Sequence, residues 1–365
     1  MTCRSLRTPF PRQTGLSLVE LLIALLLSSL LTLAVAQLYL GNRQTWSVNE
    51  ATSRLQESAR ILRTLLDREL RMVDYRGCLG NHKTPPENSL QAATDILNDV
   101  TVALRGWDNV SGTPSELSGT LTPGPVANTD VLLIRTVLGQ PLRLTAQTTR
   151  DAVITEDPGP TLNSACPDGS ASRSGLCVND IVLVSDCEKA RYFQITALTP
   201  QAGNASATPP VPATLKLAHQ AGSQPGNAVT DWGGDAATRF DAGAELVPTG
   251  TLVYYLASGN GLTGLYRKAN HRAPELLIPN VDDFQVTYGV DSDSNGQTDS
   301  YVPASGSVNW EQVRSIRIQV LLRSDRDVLP TPQPYRFNGT DFIPEDKALR
   351  LPVTWTIQLR NRSGS

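Results

Sequence analysis

From Leu16 to Leu40 the chain carries one charged side chain, Glu20, in a run that is otherwise uncharged and mostly apolar. About 20 apolar residues rising ~1.5 Å each cross a hydrocarbon core of ~30 Å, so the run has the length of a membrane helix. Beyond it the pattern narrows to one stripe: Ala51, Leu55, Ala59, Leu62, Leu66, Leu70 and Val73 recur at spacings of three and four. Off the stripe, Glu50 with Arg54, Arg63 with Asp67, and Asp67 with Arg71 stand four residues apart with opposite charge. No proline interrupts Leu16 to Gly77. The pattern therefore predicts one nearly continuous helix of ~60 residues and ~90 Å, stopping at Gly77 and weakest at Gly41 and Asn42. The stripe is read as the face on which a head packs, although a coiled-coil seam has the same spacing.

Downstream the period changes to two. Leu351, Val353, Trp355, Ile357 and Leu359 alternate with polar neighbours, as do Ile316, Ile318, Val320 and Leu322, and Phe284, Val286, Tyr288 and Val290. Residues 130–138, 180–186 and 251–257 predict further strands. Pro352 assigns its strand an edge position or a start. Three stretches rich in Gly, Pro, Ser and Thr, residues 108–128, 199–212 and 220–243, predict surface loops or linkers.

Composition adds bounds. With 365 residues, 40% hydrophobic and 18% charged, the chain is of ordinary globular type with an anchor. The part beyond Gly77 can bury a core of its own, in one lobe or two. A net charge of -3, spread without basic runs, gives no nucleic-acid footprint. His82, His219 and His271 lie far apart and read as surface residues, and no Gly-x-Ser-x-Gly elbow, phosphate-binding loop or dinucleotide motif occurs. The adjacent Asp282 and Asp283 are too ordinary a pair to suggest a hydrolase. Catalysis has no support in the sequence.

Glu20 raises the cost of the apolar run. A central carboxylate costs roughly 2.5 to 3.5 kcal/mol on insertion scales, and such groups usually carry a partner or a function. Ahead of it lie Arg4, Arg7 and Arg12 and no acid, which keeps this short end cytoplasmic and sends the remainder outward. A secretory signal would have a shorter apolar region and a small-x-small site, and no convincing site follows here. A signal anchor, with Glu20 snorkelling to the interface, is the plainer reading.

Gly15, then Leu16 and the run Ser17-Leu18-Val19-Glu20, resembles the prepilin-peptidase site of type IV pilins and secretion pseudopilins. The resemblance implies cleavage between Gly15 and Leu16, N-methylation of Leu16, and a helix kept intact as an assembly element; Leu16 departs from the family's usual Phe. It also implies a role for Glu20. In a filament its carboxylate would face the cationic amino terminus of a neighbour, and two unit charges ~4 Å apart at an effective dielectric of ~20 attract by ~4 kcal/mol. That is comparable to the insertion cost.

Cys3 lies in the leader, which leaves Cys78, Cys166, Cys177 and Cys187 facing an oxidising compartment. Of the three pairings, we favour a local clip, Cys166 with Cys177, and a second bridge, Cys78 with Cys187, tying the helix end to the strands. Zinc is the rival, but no Cys-x-x-Cys pair occurs. Residues 291–301 place Asp291, Asp293, Asn295, Gly296, Gln297 and Asp299 as a calcium loop would, with the Gln297 carbonyl at position seven. Val302 replaces the bidentate acid at position twelve, so closure falls to Asp282 or Asp283. A polar hairpin uses the same residue types, and both readings stand.

Residues 54–78, 179–196, 253–268, 288–302 and 313–324 together resemble the PilW family of minor pilins. The resemblance implies an α+β, pilin-like fold: a cleaved basic leader over 1–15, a membrane and assembly helix over 16–40, its amphipathic continuation over 41–77, and a mainly antiparallel β head with long loops over 78–365. It implies a low-copy minor pilin in the priming and tip complex, a substrate of the prepilin peptidase and N-methyltransferase and not itself an enzyme. It needs no cofactor, calcium being the one ligand the sequence suggests. Implied partners are other minor pilins, the major pilin, a tip adhesin, the prepilin peptidase and the inner-membrane assembly platform. The head would be periplasmic beneath an inner-membrane anchor and extracellular once in the pilus. A type II secretion pseudopilin and a membrane-anchored periplasmic calcium-binding module are the alternatives. The first expected outcome is a mature chain beginning at N-methylated Leu16, present only when the prepilin peptidase is, as read by intact mass and amino-terminal sequencing.

Overall fold

The computed structural model describes residues 17–79, 85–91, 95–222, 225–259 and 261–362, without the side chains of residues 162–165. The leader with Cys3, the processing positions Gly15 and Leu16, and His82 lie outside the described residues.

One helix runs unbroken over Leu18–Arg71, ~80 Å at ~1.5 Å per residue. Gly41 does not interrupt it: its surroundings are open, and the Thr45 hydroxyl donates to its carbonyl at 3.0 Å. The helix stops six residues before Gly77. Met72 caps it, Asp74 takes a left-handed conformation (φ 59°), and the Asp74 amide donates to the Arg135 carbonyl at 3.2 Å, which turns the chain into the sheets. Gly77 sits instead in the short 3-10 turn Gly77–Leu79, packed on Ser185. Glu50 pairs with Arg54 at 2.6 Å and Asp67 with Arg71 at 2.8 Å; Asp67 turns to Arg71 and not to Arg63.

The head is built of largely antiparallel sheets, with one short parallel pairing, Glu87–Asn88 on Ala190–Gln194. A four-stranded sheet orders Ser300–Pro303, Val281–Val290, Val313–Asp327 and Ala348–Gln358, in that sequence across the sheet. Pro352 lies on the last of these, an edge strand, where a missing amide leaves no ladder bond unmade. A nine-stranded sheet is organised by Glu245–Gly259. The start of this strand pairs with Ile181–Ser185, and its end lies between Thr129–Val137 and Leu262–Ala269. The buried carboxylate of Asp130 ties the two sheets together, accepting from the Asn109 amide at 2.8 Å and the Val286 amide at 2.7 Å.

The principal core lies where the helix stripe meets these sheets. Leu55, Leu62, Leu66, Leu70 and Val73 pack with Ile316, Ile318, Val320 and Leu322 of one sheet and Leu132, Ile134, Leu252 and Tyr254 of the other. The stripe is thus a packing face and not a coiled-coil seam. Each buried Leu contributes ~1.5 to 3 kcal/mol relative to exposure.

The three loop regions are less superficial than their composition predicts. Residues 108–128 bury Leu117 and Leu121, and residues 199–212 open with the end of the strand Ala197–Gln201. Residues 220–243 supply Trp232 and Phe240 to a separate core with Phe193, Leu215 and Leu217. A few large side chains suffice to bury a segment that is otherwise small and polar. His219 belongs to the same core and is not a surface residue. Its ring stacks on Trp232 at 4.0 Å, and Nε2 donates to the Thr149 carbonyl at 3.3 Å. His271 is exposed, against Asn98 at 2.9 Å.

Burial pushes the His219 imidazole down from 6.5 to about 4, against the opposing pull of the Thr149 carbonyl. Between those values the unfolded chain binds the extra proton, so stability that is complete above pH 6.5 is lost as pH falls toward 4. The loss amounts to about 3 kcal/mol at ~1.4 kcal/mol per pH unit. Buried Asp130 and Asp180, whose carboxyls are raised to about 7 and about 6, titrate in the same window with the opposite sign, so the His219 contribution is read as a difference: in denaturant melts of the full chain in detergent, the stability of the wild type relative to His219→Phe, which keeps the stack, is expected to fall by this amount between pH 7 and 4.

Candidate functional site

Two features single themselves out: the bare part of the helix and the acidic hairpin loop. Among the described residues the head clamps the helix from Gln44 upward. The Gln44 amide donates to the Val328 carbonyl, Glu50 meets Arg326 at 3.4 Å, and Arg54 meets Asp325 at 3.6 Å. At the far end Glu69 is buried against Arg267, and the Asn361 amide donates to the carbonyls of Arg71 and Val73 at 3.2 and 3.0 Å. Desolvation raises the Glu69 carboxyl above its ordinary range although Arg267 and Arg68 oppose it. One acid beside the apolar stripe was the only signal for this pair, and nothing in the sequence named Arg267.

Below the clamp the most apolar stretch of the helix has none of its length buried. Leu18, Leu22, Leu26 and Leu33 are all exposed. Glu20 stands in the first turn of this arm, where it closes a capping box: the Ser17 amide donates to Oε2 at 2.9 Å and the Glu20 amide donates to the Ser17 hydroxyl at 3.2 Å. The helix N-terminus itself favours a negative charge there. Glu20 therefore has an intrachain partner, a role the sequence reading did not assign.

The two disulfides are Cys78–Cys187 and Cys166–Cys177, with Cα atoms 4.8 and 5.6 Å apart. The first joins the turn after the helix to the hairpin between Ile181–Ser185 and Ala190–Gln194; the second closes the short hairpin of Pro160–Ala165 and Ala171–Arg173. Neither leaves thiols for a metal.

Asp291 to Asp299 connect Val281–Val290 to Ser300–Pro303. Carboxylate oxygens of Asp291, Asp293 and Asp299 converge within 4.8 Å of one another. Asp291 is fully buried and already bonded: it accepts from the amides of Asn295 and Gly296, each at 3.0 Å, and pairs with Arg314 Nε at 3.1 Å. Asp299 accepts the Ser292 amide at 2.7 Å and its hydroxyl at 2.6 Å, bonds that hold its carboxyl below the usual range. Asn295 Oδ1 takes the Gln297 amide at 2.8 Å. Gly296 is at φ 86°, the left-handed conformation for which it was singled out.

Asp282 and Asp283 cannot close this loop. They stand at the opposite end of the same strand, ~25 Å away at ~3.3 Å per residue, where Arg350 holds Asp282 at 2.8 Å and Gln285 bonds Asp283 at 2.9 Å. The donor set fits a hard cation in its three carboxylates, but Arg314 already supplies positive charge. Arg314→Ala is expected to cost about 3 kcal/mol by stranding a buried carboxylate, read from melts of the full chain. Millimolar calcium, with magnesium as control, returns part of that loss if the carboxylates close on a cation and none if the loop is a plain hairpin.

Comparison with known proteins bears on both ends of the chain. Residues 253–361 match the family model described as type IV pilus-assembly protein W, and residues 10–36 match that of the prokaryotic N-terminal methylation motif. No curated protein and no solved structure matches. The first match runs from the central strand through the whole four-stranded sheet on which the helix lies; the second takes in the start of the bare arm with Glu20. These two matches, on a long apolar helix carrying an antiparallel head, make the chain similar to type IV pilins of the PilW family over its start and its last third.

Proposed function

We propose that this chain is a low-copy minor subunit of the priming and tip complex of a type IV pilus, acting by docking and not by catalysis. The observation that carries the reading is the division of one helix into a clamped half and a bare half. The clamped half belongs to the head; the bare half has a full circumference of apolar side chains for lipid before assembly and for neighbouring helices after it. The head beyond the helix is far larger than a filament of many copies needs, which favours a terminal place. Its surface then selects neighbours: other minor pilins, the major pilin and a tip adhesin. The prepilin peptidase would cut between Gly15 and Leu16, and the assembly platform would lift the mature chain from the inner membrane into the extracellular pilus.

Glu20 is the switch in this reading. In the single chain it caps its own helix at Ser17; in the assembly the methylated amino terminus of a neighbour replaces that amide with a full positive charge. Exchanging a neutral donor for a cation strengthens the bond.

Glu20→Ala is expected to leave the protein inserted and processed but to reduce its recovery in sheared pili at least about tenfold, the effect of ~1.4 kcal/mol. Deleting the protein should abolish surface pili while type II secretion continues. Loss of secretion with pili intact would assign the chain to a pseudopilus instead.

A further inference from the structure

At the lower end of the head, next to the exit of the apolar run, a small hairpin leaves large apolar side chains exposed among the described residues. Val328 is fixed twice: its carbonyl takes the Gln44 amide from the helix, and its own amide donates to the Lys347 carbonyl at 3.1 Å. Gln44 stands four residues beyond Leu40, ~6 Å along the axis. The excursion from 329 to 346 therefore begins and ends beside the membrane exit. Within it Tyr335–Phe337 pairs with Thr340–Phe342 across Asn338 and Gly339, both at positive φ (45° and 79°), as a two-residue hairpin turn requires. Tyr335 and Phe342 stack at 5.4 Å, and the Arg350 guanidinium lies over the other ring contact at Tyr335, 5.4 Å from its centroid. On the face shared by Tyr335, Phe337 and Phe342, Phe337 near the turn is buried, whereas Phe342 is 41% exposed, and Ile343 just beyond the strand is 81% exposed. Ile343 is more exposed than Leu18 at the tip of the arm, which is 76% exposed.

The helix presents matching chemistry at the same level. Tyr39 and Trp46, on either side of the exit, are 64% and 65% exposed, and aromatic rings at such positions settle in the headgroup layer. Residues 328–347 hold Arg336 and Lys347 against Asp341, Glu345 and Asp346, so the hairpin carries no excess of positive charge to seek a phosphate.

We infer that the exposed side chains of Phe342 and Ile343, where the hairpin's second strand ends, form a membrane foot: they seat in the interfacial layer of the outward leaflet beside Trp46 while the subunit waits, unassembled, in the bilayer. The occupant is the lipid surface, because the foot is continuous with a membrane-spanning segment through the Gln44–Val328 bond and because its attraction is apolar. The foot limits the tilt of the head over the membrane, and it must leave the lipid when the subunit is extracted. The inference needs only the membrane anchor, so it stands or falls separately from the pilus-tip reading.

The test uses the full chain in phospholipid vesicles. In a Cys3→Ser background, a nitroxide on Ile343→Cys is compared with one on Val229→Cys. Val229 lies at the other end of the head, its amide bonded to Ser89 beside Tyr192, whose side chain shares a cavity with Asp74 and Arg362. The label at 343 is expected to be rich in oxygen collisions and poor in collisions with a water-soluble nickel complex. This should hold at low protein density and equally in zwitterionic and anionic vesicles. Equal accessibility at both positions would overturn the foot, as would shielding that appears only at high protein density, which would mark a second copy as the occupant. The unaltered chain gives an independent reading: with photoactivatable phosphatidylcholine, the tryptic peptide 337–347 should carry lipid adducts, and its absence from the adducts would overturn the inference without any variant.

Discussion

Everything in this molecule depends on where one apolar stripe is buried. Leu62, Leu66 and Leu70 are out of water because the head supplies two sheets to cover them. Were that face left open, the helix would need another chain to cover it along its whole length. Covering it locally divides the helix: the upper half becomes part of a globular core, and the lower half keeps its apolar surface for a different solvent. A subunit of the kind proposed would need this division, since an element that polymerises must not be consumed by its own head.

The polar contacts follow from the same packing. A helix laid across a sheet brings the strand ends and the helix flanks together, so Glu50, Arg54 and Glu69 find Arg326, Asp325 and Arg267. The exposed pairs are worth little individually. Their position matters more, because together they fix where the head begins along the helix. The buried members, Glu69 and Asp130, sit at junctions between elements, where an unsatisfied partner would be costly. They favour one arrangement of helix and sheets over others with equal apolar burial.

The acidic loop shows how one residue set serves two chemistries. Asp, Asn and Gly at alternating positions bend a hairpin because their side chains accept the loop's own amides. The same carboxylates converge on a point where a cation would sit. Arg314, from the neighbouring strand, places its charge on Asp291 and makes the loop self-sufficient. The sequence carries the carboxylate spacing but gives no sign that an arginine distant in the chain lies against it.

What the sequence determined by itself is what depends on periodicity. The spacing of three and four from Ala51 to Leu70 became the buried helix face. The alternations ending in Leu322 and Leu351 to Ile357 became neighbouring strands of one sheet, with Pro352 at its edge. The apolar run with its single acid marked the arm, and four cysteines in an oxidising compartment became two bridges. Tertiary structure alone decided what depends on meetings between distant residues. It ended the helix at Arg71, through an amide bond from Asp74 to a strand. It drew Trp232, Phe240 and His219 from a loop-like segment into a core, and it set a proline-rich hairpin beside the point where the helix leaves the head, through Gln44 and Val328. Local pattern specifies which face of an element avoids water; only the folded chain specifies what covers that face.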